Sequence, residues 1–278
     1  MKKLLLFLFI IFSIVNFAQA KEYKRIISLA PSVTISLYEL DLEKNIAGIT
    51  LYCPKGKYQK ELVGTFLEPD LEKIVALRPD LIIASKDGNL KAPVEKLQKI
   101  GFEIYVMEAA KNFEEICQNF ILLAKKTNTE KTALEIVKKA KMQVAEIYNS
   151  TKLSQAKTVF WEIGTKPLYT AGKNSFLNSY NKYSNTKNIY GETIKSAYSP
   201  VDIEDVLMRN PDIVLIADMD TSAKYPQEQI KKYALCNAGK NGKVYVLKSD
   251  ELFGLTPLSF SDELKNISLL GFSKTNGD

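Results

Sequence analysis

From Arg25 onward the chain alternates short, continuously apolar runs with segments whose apolar residues recur at helical spacing. "RIISLA" and "IAGIT" are runs of the first kind, and "ISLYELDL" is of the second. A run that is apolar throughout predicts a strand covered on both faces, whereas a half-exposed strand alternates. The stretch Asp70–Ala84, "DLEKIVALRPDLIIA", holds both patterns. Asp70 suits a helix N-cap, Leu71, Ile74, Val75 and Leu77 fall on one helical face, Pro79 stops the helix, and "LIIA" follows as a buried strand. A helix ("NLKAPVEKLQKIG"), a strand ("FEIYVM") and another helix ("NFEEICQNFILLAKKT") come next. Strands alternating with helices predict βαβ units and a parallel sheet.

Residues 129–151 differ. They contain no Gly or Pro, and Ala133, Ile136, Val137, Ala140, Val144 and Ile147 form one apolar stripe. At about 1.5 Å per residue the helix reaches over 30 Å. After it the earlier pattern restarts. "DIEDVLMRNPDIVLI", from Asp202, repeats the Asp70 stretch 132 residues on, and "KTVFWEI" stands at the same offset from "RIISLAP". "NTKNIYG" echoes "LEKNIAG" at an offset of 143, so the second copy gains about 11 residues and loses them before Asp202. A period above 100 residues means domain duplication rather than a solenoid. The predicted fold is α/β: two Rossmann-like lobes, 21–128 and 153–278, joined by one long backbone helix, 129–152, with a ligand cleft between them. The C-terminal "SFSDELKNISLL" predicts a short helix.

The opening 20 residues fall outside this pattern. Lys2 and Lys3, an apolar run from Leu4 to Val15, and Ala18-Gln19-Ala20 compose a secretory signal peptide. The run is too short for a membrane span, which needs about 20 residues, and no cysteine marks a lipid attachment point. The mature chain is expected to begin near Lys21 as a soluble protein of the periplasm. Removing two lysines lowers the formal charge from +6 to +4, which supports no nucleic-acid role. Cys53, Cys117 and Cys236 form no C-x-x-C pair, and an odd number leaves at least one free thiol. The chain has no histidine, which excludes His-based metal sites, the Ser-His-Asp triad and the Cys-His dyad.

Candidate chemistry is sparse. "TAGKNS" lacks the first glycine of a phosphate loop, Pro167 standing there. Acidic pairs fall on helix faces and caps, and no nucleophile–base constellation exists, so the chain is predicted not to be an enzyme and to carry no catalytic residue, cofactor or metal of its own. The three arginines, Arg25, Arg78 and Arg209, sit at a strand start and two helix ends, away from cleft-facing loops where a polyanion clamp needs guanidinium forks. Lysines in loops, such as Lys55, Lys57, Lys86 and Lys173, could partly substitute. Aromatics are the positive signal: Tyr52, Phe66, Trp161 and Tyr198 fall at or beyond strand ends, where open α/β sheets bind ligands. Glu72 and Glu204 are a matched pair, each second in its helix. Acids favour helix N-termini, and a pair on two lobes also makes a two-point acidic docking surface.

Together "RIISLAPSVTISLYEL", "VGTFLEPDLEKIVALRPDLIIAS", the long helix and "LYTAGKNSF" resemble the cobalamin/ferric-siderophore group of periplasmic substrate-binding proteins, the cobalamin binders most of all. The resemblance spans essentially the whole mature chain. It implies a monomer with a chelate in the cleft between two lobes and only small hinge motion. It also implies docking of an acid from each lobe, at the positions of Glu72 and Glu204, onto the permease dimer of an inner-membrane ABC importer. Tyr52 matches a ligand-stacking tyrosine. Phe66 and Tyr198 stand where the cobalamin binders have tryptophans, Ser85 stands at a third such position, and Phe253 replaces an acid. A corrinoid is the first expected ligand and a ferric siderophore the second. Haem is disfavoured, because haem binders of the group use Tyr or His ligands and Phe66 stands after "VGT". A secreted enzyme or an adaptor on the same scaffold ranks below both.

Overall fold

The computed structural model describes residues 21–218, 230–248 and 252–272. The expected signal peptide lies outside the described residues. The first half of the chain builds a parallel sheet from β1 (Ile26–Ser28), β2 (Ile46–Ile49), β3 (Glu61–Leu62), β4 (Leu81–Ser85) and β5 (Ile104–Met107), in the order β3-β2-β1-β4-β5. Helices α1 (Pro31–Glu39), α2 (Leu71–Ala76), α3 (Lys91–Lys99) and α4 (Phe113–Thr127) link or follow the strands. Helix α2 starts as its sequence predicts, the Asp70 carboxylate accepting the Lys73 N–H at 3.1 Å. A left-handed turn at Asn128 then starts α5 (Glu130–Thr151), the 22-residue helix.

The second half holds β6 (Lys157–Glu162), β7 (Gly164–Thr165), β8 (Leu168–Ala171), α6 (Leu177–Tyr183), β9 (Thr186–Asn188), β10 (Tyr198–Pro200), α7 (Ile203–Arg209), β11 (Ile213–Asp218), α8 (Asn237–Lys240), β12 (Val244–Lys248) and α9 (Pro257–Phe272). Its parallel sheet runs β12-β11-β6-β9, the order of β5-β4-β1-β2 in the first half. The repeated stretch therefore repeats a topology: β6 stands for β1 and β11 for β4. The residues gained after β6 form the β7–β8 hairpin, which pairs with β10 in a small antiparallel sheet. Helix α9 is longer than its sequence suggests. Pro257 occupies its first position, and Thr256 and Ser259 each donate a backbone N–H to the other's hydroxyl at 3.0 Å, a reciprocal cap.

Alternate residues of each central strand enter different cores. Ile26, Leu81 and Ile83 face a large cluster shared with α4, α5 and α9, while Ile27, Ile82 and Ala84 face an outer layer. In the second sheet Val159, Trp161 and Leu215 join the same large cluster, and Phe160, Val214 and Ile216 face outward. One apolar core thus runs through both halves. Polar ties reinforce it: the Phe113 N–H donates to Ser179 Oγ at 3.1 Å, and the Tyr183 hydroxyl to Glu114 at 2.6 Å.

A further tie is chemically unusual. Glu39, the last residue of α1, accepts the Thr256 hydroxyl at 2.6 Å, and its other oxygen is buried without a partner. Burial pushes this carboxyl up to about 7, the Thr256 bond opposes the rise, and the charge of Asp262 adds to it. Between about pH 4.5 and 7 the unfolded chain ionises Glu39 while the native state keeps it protonated, so stability falls across that window and is level above it. Replacing Glu39→Gln removes the penalty. The gap in unfolding free energy between variant and wild type should widen by about 3 kcal/mol from pH 4.5 to 7.5. A constant gap in denaturant melts would reject this assignment.

Candidate functional site

Because α2 and α7 each lead directly into a buried strand, their N-termini lie at the carboxyl-end faces of the two sheets. The loops that follow β1, β2, β3 and β4 gather at the same face of the first lobe. Asn89 ties three of them: its Oδ1 accepts the Ser85 N–H at 2.8 Å, and its Nδ2 donates to Leu29 O at 2.9 Å and Phe66 O at 2.7 Å. Phe66 packs over Gly88, where a Cβ would stand 2.9 Å from the ring. Any larger residue there would displace the ring and its loop.

Tyr52 projects from the loop after β2 and is 68% exposed. It is the third residue of a turn closed by the Cys53 N–H on Thr50 O at 3.1 Å, and its φ is +73°. Glycine is the residue that adopts such a backbone freely, so a bulky tyrosine there is held at a cost. The rest of the loop is anchored. Glu43 accepts the Lys57 and Tyr58 N–H groups and the buried Lys60 ammonium, and the Tyr38 hydroxyl donates to Pro54 O at 2.5 Å. Gly56, with φ +66°, leaves room for the Glu43 carboxylate, which a Cβ would meet at 2.1 Å.

From the second lobe comes Tyr198, on β10 and paired with Ala171, with 41% of its surface exposed. Burial of its hydroxyl end raises its pKa, a Ser175 hydrogen bond opposes this, and the charge of Asp87 raises it further. Asp87 belongs to the first lobe, two residues past β4. Asp87 and Tyr198 therefore come near each other from the two lobes. Phe253 is half-buried, its ring edge-on to Phe176 with centroids 5.7 Å apart.

Two aromatic-site expectations change. Trp161 has no exposed surface: its ring packs against Tyr180 and its Nε1 donates to Asn181 Oδ1 at 3.2 Å. The parity of β6 turns it into the shared core, so it offers a ligand nothing. Ser85 is 3% exposed, and its hydroxyl accepts the Asp87 N–H at 3.2 Å. It shapes the turn, and Asp87, two residues past β4, is the exposed side chain there. Asp87 went unnoticed in the sequence because a charged residue after a strand looks like an ordinary solvated turn. Its position immediately beyond a fully apolar strand was the available signal. Water reaches Asp87, yet the surrounding walls push its carboxyl up to about 6, countered only in part by the Ala110 N–H. Glu162, at the end of β6, is a structural acid instead, fully buried and held by Lys232 at 2.7 Å and the Tyr233 hydroxyl at 2.5 Å.

The loop lysines are partly spent. Lys86 pairs with Glu108 at 2.6 Å and Lys173 with Glu192 at 3.5 Å. Arg25 donates twice to Leu77 O, and Arg209 pairs with Asp205 beneath the Tyr190 ring. Glu72 and Glu204 are exposed, and among the described residues neither carboxylate has a hydrogen-bond or ion-pair partner. Their settings differ in one respect: Asp70 caps α2 with its side chain, and Asp202 makes no such bond to α7. The three cysteines are free and buried, and burial pushes the Cys117 thiol up to about 12. A groove of about 660 Å³ lies apart from all these residues, lined only by α5 and α9 side chains such as Lys138, Met142, Gln143 and Asp262.

This arrangement of paired lobes has relatives. A family model described as periplasmic binding protein matches residues 26–251. The chain belongs to the periplasmic binding protein family. An uncharacterised ABC transporter substrate-binding lipoprotein of Bacillus subtilis is 27% identical over 83% of this chain and 74% of its own length. A vitamin B12-binding protein of Yersinia pestis is 26% identical over 72% of this chain and 71% of its own. Among solved structures, a possible iron-binding (periplasmic solute-binding) protein of Staphylococcus epidermidis superposes with a TM-score of 0.77 at 28% identity, covering 91% of this chain and all of that one. A periplasmic haem-binding protein of Vibrio cholerae, at 18% identity, shares the fold with a TM-score of 0.78 over 89% of this chain and 98% of its own. The matched relatives are substrate-binding proteins rather than enzymes.

Proposed function

We propose that this periplasmic binding protein is exported through residues 1–20, captures a metal–organic chelate between its lobes, and delivers it to the permease dimer of an ABC importer. The observation that carries the reading is Tyr52: a tyrosine held in glycine-like backbone, exposed at the carboxyl end of one sheet, with Tyr198 presented by the other lobe. Two aromatic faces on opposing walls suit a flat, partly apolar ligand. A corrinoid is the first reading, supported by the vitamin B12-binding relative. A ferric siderophore is the second, supported by the iron-binding neighbour. Haem ranks below these, since the chain has no histidine and Phe66 occupies the loop next to Gly88. Calorimetry against cyanocobalamin, cobinamide, haemin and a panel of ferric siderophores tests the reading. Saturable binding to a corrinoid is expected, and saturable binding to none of them overturns the transport role.

The site itself has a sharper test. Tyr52→Ala should weaken binding of the selected chelate about ten- to thirty-fold, the loss of one stacked aromatic face. Its melting temperature should hardly move, because the ring is exposed. Tyr52→Gly should lose the same affinity while gaining up to about 1 kcal/mol of stability, the left-handed strain being relieved. Unchanged affinity in both variants would remove Tyr52 from the site.

A further inference from the structure

We propose that Asp87 is a selectivity residue of the cleft, favouring chelates that present a positive charge or amide donors and disfavouring polyanionic ones. The inference rests on the transport reading above and narrows its ligand class. Asp87 stands just beyond the carboxyl end of β4, a central strand, with Tyr198 on the opposite wall near enough to feel its charge. Its position is built rather than incidental. The Ser85 hydroxyl accepts its N–H, Asn89 fixes the Ser85 backbone, and the same Asn89 holds the Phe66 loop alongside.

The neighbouring charges do not cancel it. No lysine or arginine pairs with Asp87 among the described residues. Lys86, next in sequence, is turned to Glu108, and Lys173, from the second lobe, to Glu192. The two lysines flanking this part of the cleft are thus engaged with glutamates, Lys55 and Lys57 lie on the separate loop after β2, and an acid stands beside Tyr198. A partly desolvated carboxylate, even one that water still reaches, interacts more strongly with a ligand charge than one in bulk water. Polyanions are then repelled, whereas a cationic metal centre or a ring of peripheral amides is attracted, amides donating hydrogen bonds that a carboxylate accepts.

Two matched pairs of probes test this by calorimetry: cationic aquacyanocobinamide against neutral dicyanocobinamide, and cationic ferrioxamine B against an anionic ferric tris-catecholate. The wild type should favour the cationic member of whichever pair it binds by about tenfold. Asp87→Asn, nearly isosteric and on an exposed turn, should reduce the preference to about twofold, and Asp87→Glu should keep most of it. An equal preference in wild type and Asp87→Asn overturns the inference while leaving the transport reading intact. Failure of the wild type to bind any of these probes or any member of the wider panel above overturns both.

Discussion

Trp161→Ala should destabilise the protein by about 3–5 kcal/mol, the cost of emptying a fully buried aromatic site. For a chain of this length that lowers the melting temperature by roughly 6–20 °C. The ring lies against Tyr180 in the core common to both lobes, and Asn181, which accepts its N–H, also accepts the Thr186 hydroxyl and donates to Asn178. Truncation therefore opens a cavity and leaves that amide network short of one donor. Trp161→Phe separates the two readings of this residue. It keeps most of the packing, so chelate affinity should stay within about threefold of wild type. A large affinity loss in a well-folded Trp161→Phe protein would return the indole to the binding site. Trp161 is also the only tryptophan in the chain, so its fluorescence reports the common core directly.

The double variant Glu72→Ala, Glu204→Ala should bind its chelate normally and fail to stimulate the ATPase of its transporter. Both carboxylates are exposed and unpaired among the described residues, so their removal should change stability by no more than about 0.5 kcal/mol each. If each meets an arginine of the permease, truncating one charge-paired partner costs about 2–5 kcal/mol of docking, and the two together weaken it about a thousand-fold or more. Reconstituted transporter supplies the measurement. Full stimulation by the double variant would leave these acids only their favourable position at helix N-termini.

Much of the architecture was open to reading in the residues themselves. "LIIA" and "IVLI" are apolar at every position because helices or core cover both sides, and so β4 and β11 announce parallel strands. The 132-residue repeat maps one sheet order onto the other. The same continuity hides which face each side chain takes. Nothing in "KTVFWEI" distinguishes Phe160, in the outer layer, from Trp161, in the common core. The gain of about 11 residues was visible as a number, and its form, the β7–β8 hairpin that seats Tyr198, depends on long-range pairing. Ser85 and Asp87 show the limit for the site. A strand end marks where a ligand lies, but only the turn's hydrogen bonds decide which of two neighbouring polar residues faces it.

The continuous core through α4, α5 and α9 has a consequence for traffic at the membrane. A large swing of one lobe would tear apart packed side chains from both sheets, so this core favours nearly one outline for the empty and the loaded protein. If Glu72 and Glu204 are the permease contacts proposed above, they then present nearly the same spacing in either condition. Unoccupied copies would queue for the transporter alongside occupied ones, and import would follow the ratio of loaded to empty protein rather than the amount loaded. Making more of such a binder in a chelate-poor environment would slow uptake.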